Sequence, residues 1–113
     1  MPEVDREKIR REFGNAVNMS AAELEKWLRT EPSRKVGWKG ADGSRNESVG
    51  HASGRRIVEI LRKLGDGLTD EDYAHMRKVV GYVHRHKAQR PENIYTSRWR
   101  YSLMNWGHDP TKA

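Results

Sequence analysis

Only nineteen of the 113 side chains are Leu, Ile, Val or Phe, about 17%. With a net charge of +6, that scarcity lies on the disordered side of the compositional boundary. Such a chain folds only if nearly every aliphatic faces one way and larger side chains complete the core. Four Trp, four Tyr and four Met are present to do so. The length fits a single domain.

The apolar residues do recur at helical intervals. Val4, Ile9, Phe13 and Val17 stand among acids and bases that pair at i,i+4, which predicts a first helix from Pro2 to about Val17. Ser20-Ala-Ala-Glu23 is a capping box, and Leu24, Trp27 and Leu28 form the buried stripe of a second helix that Pro32 stops. Residues 34–50 hold Gly, Ser and bases without a period, the pattern of a flexible Gly/Ser-rich basic loop, with Trp38 in it able to stack on a base or dock on the core. Ser53 is placed to cap a third helix whose Ile57, Ile60, Leu61 and Leu64 share one arc, ended by Gly65 and Gly67. Thr69-Asp-Glu-Asp72 opens a fourth helix with a hydroxyl cap and acids in its first turn, running to near Ala88 with Tyr73, Met76, Val79, Val80 and Val83 on one face. Ser97 or Thr96 caps a fifth, bearing Trp99, Leu103 and Trp106 and closed by Gly107 and Pro110. The expected fold is a single compact all-α domain of about five helices. The third and fourth form a helix-turn-helix-like pair across the acidic Gly65–Asp72 turn.

Without Cys there is no disulfide framework and no thiolate metal site, and the amino-terminal residues lack the apolar stretch of a signal peptide. No run approaches the roughly 20 apolar residues that span a bilayer, and no exposed Trp/Phe face suits membrane attachment. A cytoplasmic protein is expected, associated with the nucleoid if it binds DNA.

Charge is unevenly spread. Residues 1–33 carry net −1, 34–63 net +5, 64–74 net −4 and 75–100 net +6. Clustered cations displace condensed counterions together and so favour a polyanion. The candidate contacts are Arg55, Arg56, Arg62 and Lys63 on the third helix, and Lys78 and Arg85 on the fourth with Tyr82 between them and His75 and His86 at the margin. A solvated polar face is the alternative for each. Gly50-His-Ala-Ser-Gly-Arg-Arg56 joins the loop to a helix start where amides and two guanidinium groups would hold a phosphate or carboxylate, or where Ser53 is only a cap.

His84 and His86 lie about 200° apart on a helix and His75 to His86 spans roughly 16 Å of rise, so neither pair chelates one ion. No metal is expected. His84, beside the apolar arc, reads as a hydrogen-bonded packing residue. No nucleophile has a local base and no cofactor fingerprint occurs, which leaves an enzyme without cofactor as a minority reading. His51, Arg55, His108 and Asp109 would form an anion-binding or catalytic site only if the fold gathered them.

The strings NMSAAELEKWL (18–28), GHASGRRIVEILRK (50–63), LTDEDYAHMRKVVGYVHRHKAQRP (68–91) and SRWRYSLMNWGHDP (97–110) resemble a family of small uncharacterised proteins of bacteria and some fungi, a domain of unknown function. The resemblance covers most of the chain and implies one domain. Members often carry a DNA-binding label, and the family implies no catalytic residues. The Gly-rich loop at 37–49 is where this chain is expected to depart most from it.

Charge clustering and residue spacing lead to a non-enzymatic nucleic-acid-binding protein, with DNA ahead of RNA. It would use Arg55, Arg56, Arg62, Lys63, Lys78, Arg85 and Tyr82, mainly on phosphates. The alternative is an interaction or regulatory module whose basic face meets an acidic protein.

Overall fold

The computed structural model describes residues 3–37, 47–63, 67–95 and 97–112. Trp38, Leu64, Gly65 and most of the expected basic loop lie outside these, as does the side chain of Val4. Among the described residues there are six α-helices and no strand: α1 (Glu3–Ala16), α2 (Ala21–Leu28), α3 (Glu31–Lys35), α4 (Val49–Lys63), α5 (Asp70–Lys87) and α6 (Arg98–Asn105).

The helix starts follow from their caps. Ser20 Oγ accepts from the Glu23 amide at 3.1 Å while the Glu23 carboxylate accepts from the Ser20 amide at 3.0 Å. The same reciprocal pair joins Thr69 and Asp72 at the head of α5, and Ser97 rather than Thr96 caps α6.

Two boundaries differ from expectation. Pro32 does not simply stop α2: it sits in the first turn of α3, where Thr30 is the cap. A proline's fixed φ suits that turn and its missing N–H costs nothing there. And α4 starts before Ser53, because the Ser48 hydroxyl accepts from the His51 amide at 3.0 Å. Ser53 is therefore an interior helical residue, buried, its hydroxyl 2.9 Å from Nε2 of His75 on α5.

The core is thin, as the composition requires. Phe13, Leu24, Ile57, Ile60, Met76, Val79 and Leu103 are essentially fully buried, and Tyr73 and Trp106 extend the cluster. α4 lies mainly along α2 and α5 mainly along α1, while α6 closes against α2, α3, α4 and α5. The two helices that flank the acidic turn thus each rest on a different main partner. Gly54 is where α4 crosses: a Cβ there would stand 2.5 Å from the Asn105 carbonyl oxygen and 2.6 Å from Leu28. Asn105, 1% exposed, ties the crossing together by accepting from Trp27 Nε1 (2.8 Å) and Ser33 Oγ (2.5 Å) and donating to the Ser33 carbonyl (3.0 Å). The radius of gyration is 13.9 Å, near the roughly 13 Å of a compact domain this long.

Candidate functional site

The four bases of α4 are all engaged. Arg55 donates Nε and Nη2 to Glu47 at 2.8 and 2.5 Å. Arg62 meets Glu25 at 2.7 Å. Arg56 and Lys63 each reach one oxygen of Asp72 at 3.0 Å. Asp72 is 2% exposed; the Thr69 amide above all, then Lys63 and Arg56, outweigh its burial and bring its pKa down to about 2. The expected anion site at Gly50–Arg56 is corrected accordingly: Ser53 does not start the helix, and both guanidinium groups already hold carboxylates.

Lys78 and Arg85 on α5 differ. Neither forms an ion pair with a described residue, and both line a cavity of about 280 Å³ that is also lined by Tyr82, by Trp106 at the C-cap of α6 and by Val49 and Gly50 of α4. Tyr82 and Trp106 also belong to a ladder of near-parallel rings built from α5 and from the α6 segment. Its order is His75, Trp106, Tyr82, His86, Trp99, with centroid separations of 6.3, 4.2, 5.1 and 6.3 Å and interplanar angles of at most 20°. On α5 the ladder residues recur at i, i+7 and i+11, and α6 supplies i and i+7 from the antiparallel direction. The expected core residues Trp99 and Trp106 and the expected surface residues His75, Tyr82 and His86 therefore belong to one structure.

This ladder changes what Tyr82 can do. Trp106 covers one face of its ring and His86 the other, so no face is open for a base to stack on. Burial raises the Tyr82 phenol's pKa and keeps it protonated. Burial likewise lowers the pKa of His75 and His86, and His86 Nε2 is buried with no hydrogen-bond partner among the described residues.

Trp106 supplies a further donor. The indole N–H of Trp27 goes to Asn105 and that of Trp99 to the His86 carbonyl at 2.7 Å. Trp106 is only 4% exposed, and its N–H, which meets no acceptor among the described residues, keeps contact with solvent. Nε1 sits where a Cβ on Gly50 would come within 2.9 Å, which brings it against the first turn of α4. There the Ser48 cap takes the His51 amide, and the amides of Val49 and Gly50 have no partner within the helix. Spacing alone could not have found this site, since its members come from three helices.

The other candidates have structural roles. His51 turns its ring nitrogens to the Glu47 carboxylate and, at 2.7 Å, the Leu28 carbonyl. His108 donates Nδ1–H to the Ala16 carbonyl at 2.7 Å, holding the end of α1, and Asp109 takes Arg100 through both oxygens at 3.2 Å. His51 and Arg55 share Glu47, but His108 and Asp109 have none of their partners in common with them, so the four do not form one site. His84 is exposed rather than packed. No three His, Asp or Glu among the described residues gather closely enough to hold a metal ion, and none of the described helices is long and apolar enough to cross a membrane.

A family model, described as protein of unknown function (DUF3140), matches residues 12–104. The chain belongs to the DUF3140 family. The matched span contains α2 to α5, Lys78, Arg85 and most of α6, and stops just short of Trp106. Comparison with curated proteins and with solved structures returns no match.

Proposed function

We propose that this DUF3140 protein is a non-enzymatic nucleic-acid-binding protein that engages phosphates through the α4–α5–α6 face centred on Lys78 and Arg85. One observation carries the reading: these two cations line a single cavity and have no acidic partner among the described residues, whereas Arg55, Arg56, Arg62 and Lys63 are already neutralised. Two neighbouring exposed cations without a carboxylate partner make a local positive field that favours an anion more strongly than bases already held in ion pairs. Tyr82 serves as a wall of the site and as a support for the ladder. DNA is the first choice of partner.

The test is fluorescence polarisation of the full chain with labelled duplex DNA over a salt series, with RNA as competitor. Affinity should fall with a log–log slope of about −0.9 for each phosphate neutralised. Affinity that stays flat from low to moderate salt would remove the proposal.

A further inference from the structure

We infer that Tyr95, held out by the loop between α5 and α6, is a stacking platform for an unpaired base, so that the nucleic acid recognised carries single-stranded nucleotides beside the phosphates it offers. The inference rests on the proposed function for its phosphate contacts and adds the part of the strand that those contacts leave unread. Among the described residues Tyr95 is the one large apolar side chain that is exposed, at 66%. The other described aromatics are covered. Phe13, Tyr73 and Trp106 are buried, Trp27 and Tyr101 lie against each other with centroids 5.4 Å apart, and Tyr82 and Trp99 stand in the ring ladder. A single exposed apolar residue is ordinary on a protein surface, so exposure alone decides nothing. The loop that holds this ring, and the charges around it, point to a ligand.

The loop is closed and pinned. Trp99 Nε1 donates to the His86 carbonyl at 2.7 Å, and the Arg90 guanidinium lies 6.0 Å from the centroid of the Trp99 ring, so the two ends meet in the manner of a compact Ω-loop. Ile94 is buried next to Tyr95, and its carbonyl accepts from Ser97 Oγ at 3.1 Å. The Tyr95 carbonyl accepts from Arg100 Nη1 at 2.7 Å, and the Tyr95 amide donates to Asn93 Oδ1 at 3.2 Å. Both backbone polar groups of Tyr95 are thus anchored while its ring stays in solvent. A ligand meets an aromatic surface that is already positioned and that has only two side-chain torsions to order.

Charge selects the ligand. Arg90 and Arg98 stand at the neck of the loop, both exposed and in no ion pair with a described residue. The loop's one acid, Glu92, is exposed and holds neither of them. Gly37 and Ser102 border both the cavity of Lys78 and Arg85 and the cleft lined by Gln89 and Arg98, so the loop adjoins the proposed phosphate contacts. Free cations beside an aromatic face suit a nucleic-acid strand, whose phosphates take the cations and whose bases each have a π-face to stack. Inside a duplex those faces are covered by the neighbouring base pairs. An unpaired base offers one to Tyr95.

The experiment uses a labelled DNA duplex in which one strand extends past the other at both ends as a short run of thymidines, and the same duplex with those extensions abasic. The two carry the same phosphates, so the difference between them isolates the unpaired bases. Fluorescence polarisation is measured with the wild-type chain, Tyr95→Ala and Tyr95→Phe. Wild type should bind the duplex with bases about tenfold more tightly than the abasic one, the size of one base stacked on an aromatic ring. Tyr95→Ala should erase most of that difference, and Tyr95→Phe, which keeps the ring, should retain it. Both substitutions alter an exposed side chain, so urea midpoints should stay at the wild-type value. Equal binding of the two duplexes by wild type, or a difference that survives Tyr95→Ala, overturns the platform while the nucleic-acid reading stands. Binding of neither duplex removes both.

Discussion

α4 and α5 carry similar basic sequences and use them in opposite ways. On α4 every base named as a candidate contact has a carboxylate: Arg55 takes Glu47, Arg62 takes Glu25, and Arg56 and Lys63 share Asp72. On α5 the bases Lys78 and Arg85 line a cavity and pair with no described acid. The +5 of residues 34–63 is thus largely spent on holding α4 to its neighbours, while part of the +6 of residues 75–100 remains available. A count of charge along a chain measures supply; only the fold shows how much of it is already used.

The strongest way to break this contrast is Asp72→Asn. The carboxylate is buried and its pKa falls from 3.8 to about 2, a difference corresponding to about 2 kcal/mol at neutral pH. The substitution also leaves Arg56 and Lys63 without their counter-charge. Urea denaturation should show a loss of about 2 to 3 kcal/mol. Because the folded pKa is depressed, the wild-type contribution is present above pH 3.8 and disappears as pH falls toward 2, so the gap between the two proteins should close across that window. A variant as stable as wild type at pH 7 would show that the Asp72 cluster does not hold α4 to α5.

The second prediction turns to the other region. Lys78→Ala with Arg85→Ala removes two cations that support no described ion pair, so stability should stay within about 0.5 kcal/mol. Affinity for DNA at moderate salt should fall by at least about tenfold, and the salt slope should become shallower by roughly 1.8, the share of two phosphates. An unchanged slope with unchanged affinity would move the proposed contact surface elsewhere.

How much of this the chain revealed on its own depends on range. The capping boxes at Ser20–Glu23 and Thr69–Asp72 and the buried stripes of α2, α4 and α5 were readable because each is set by residues three or four apart. Ser53 misled because a serine before an apolar arc is a good cap, yet Ser48 lies close enough upstream to serve first. Pro32 misled because proline ends helices in their interior but starts them in the first turn, and Thr30 makes it a start. The ion pairs of α4 were out of reach for a different reason: two of its acids, Glu25 and Asp72, stand on other helices. The ring ladder was half legible. His75, Tyr82 and His86 share a face of α5, but their interleaving with Trp99 and Trp106 requires α6 to return antiparallel.

The ladder gives the third prediction. Burial is the leading cause that lowers the pKa of His75, His86 and His108. Each folded-state histidine binds a proton less readily than it would in the unfolded chain, so stability is intact above the ordinary value of 6.5 and declines as pH falls below it. Urea midpoints should therefore drop between pH 7.5 and pH 5.5, well before the Asp72 window. His86→Phe should flatten part of that drop, because His86 Nε2 is buried without a partner and the phenyl ring keeps the stack. A midpoint constant across the range would mean that these rings are protonated as readily folded as unfolded.

The smallest expected effect is the one that sharpens the comparison most. Arg55→Ala with Arg62→Ala removes as much positive charge as the Lys78 and Arg85 pair, from a helix only a short distance away. If net charge governed binding, the two double variants would weaken DNA binding alike. If availability governs it, Arg55 and Arg62 contribute little, because their guanidinium groups already hold Glu47 and Glu25. Both ion pairs are largely solvent-exposed on the arginine side, 62% and 57%, so stability should change by no more than about 1 kcal/mol in total. Affinity should remain within about twofold of wild type, and the salt slope should hold to within roughly one half of a phosphate. A loss equal to that of the α5 pair would erase the distinction between paired and available bases and return the protein to a simple basic surface.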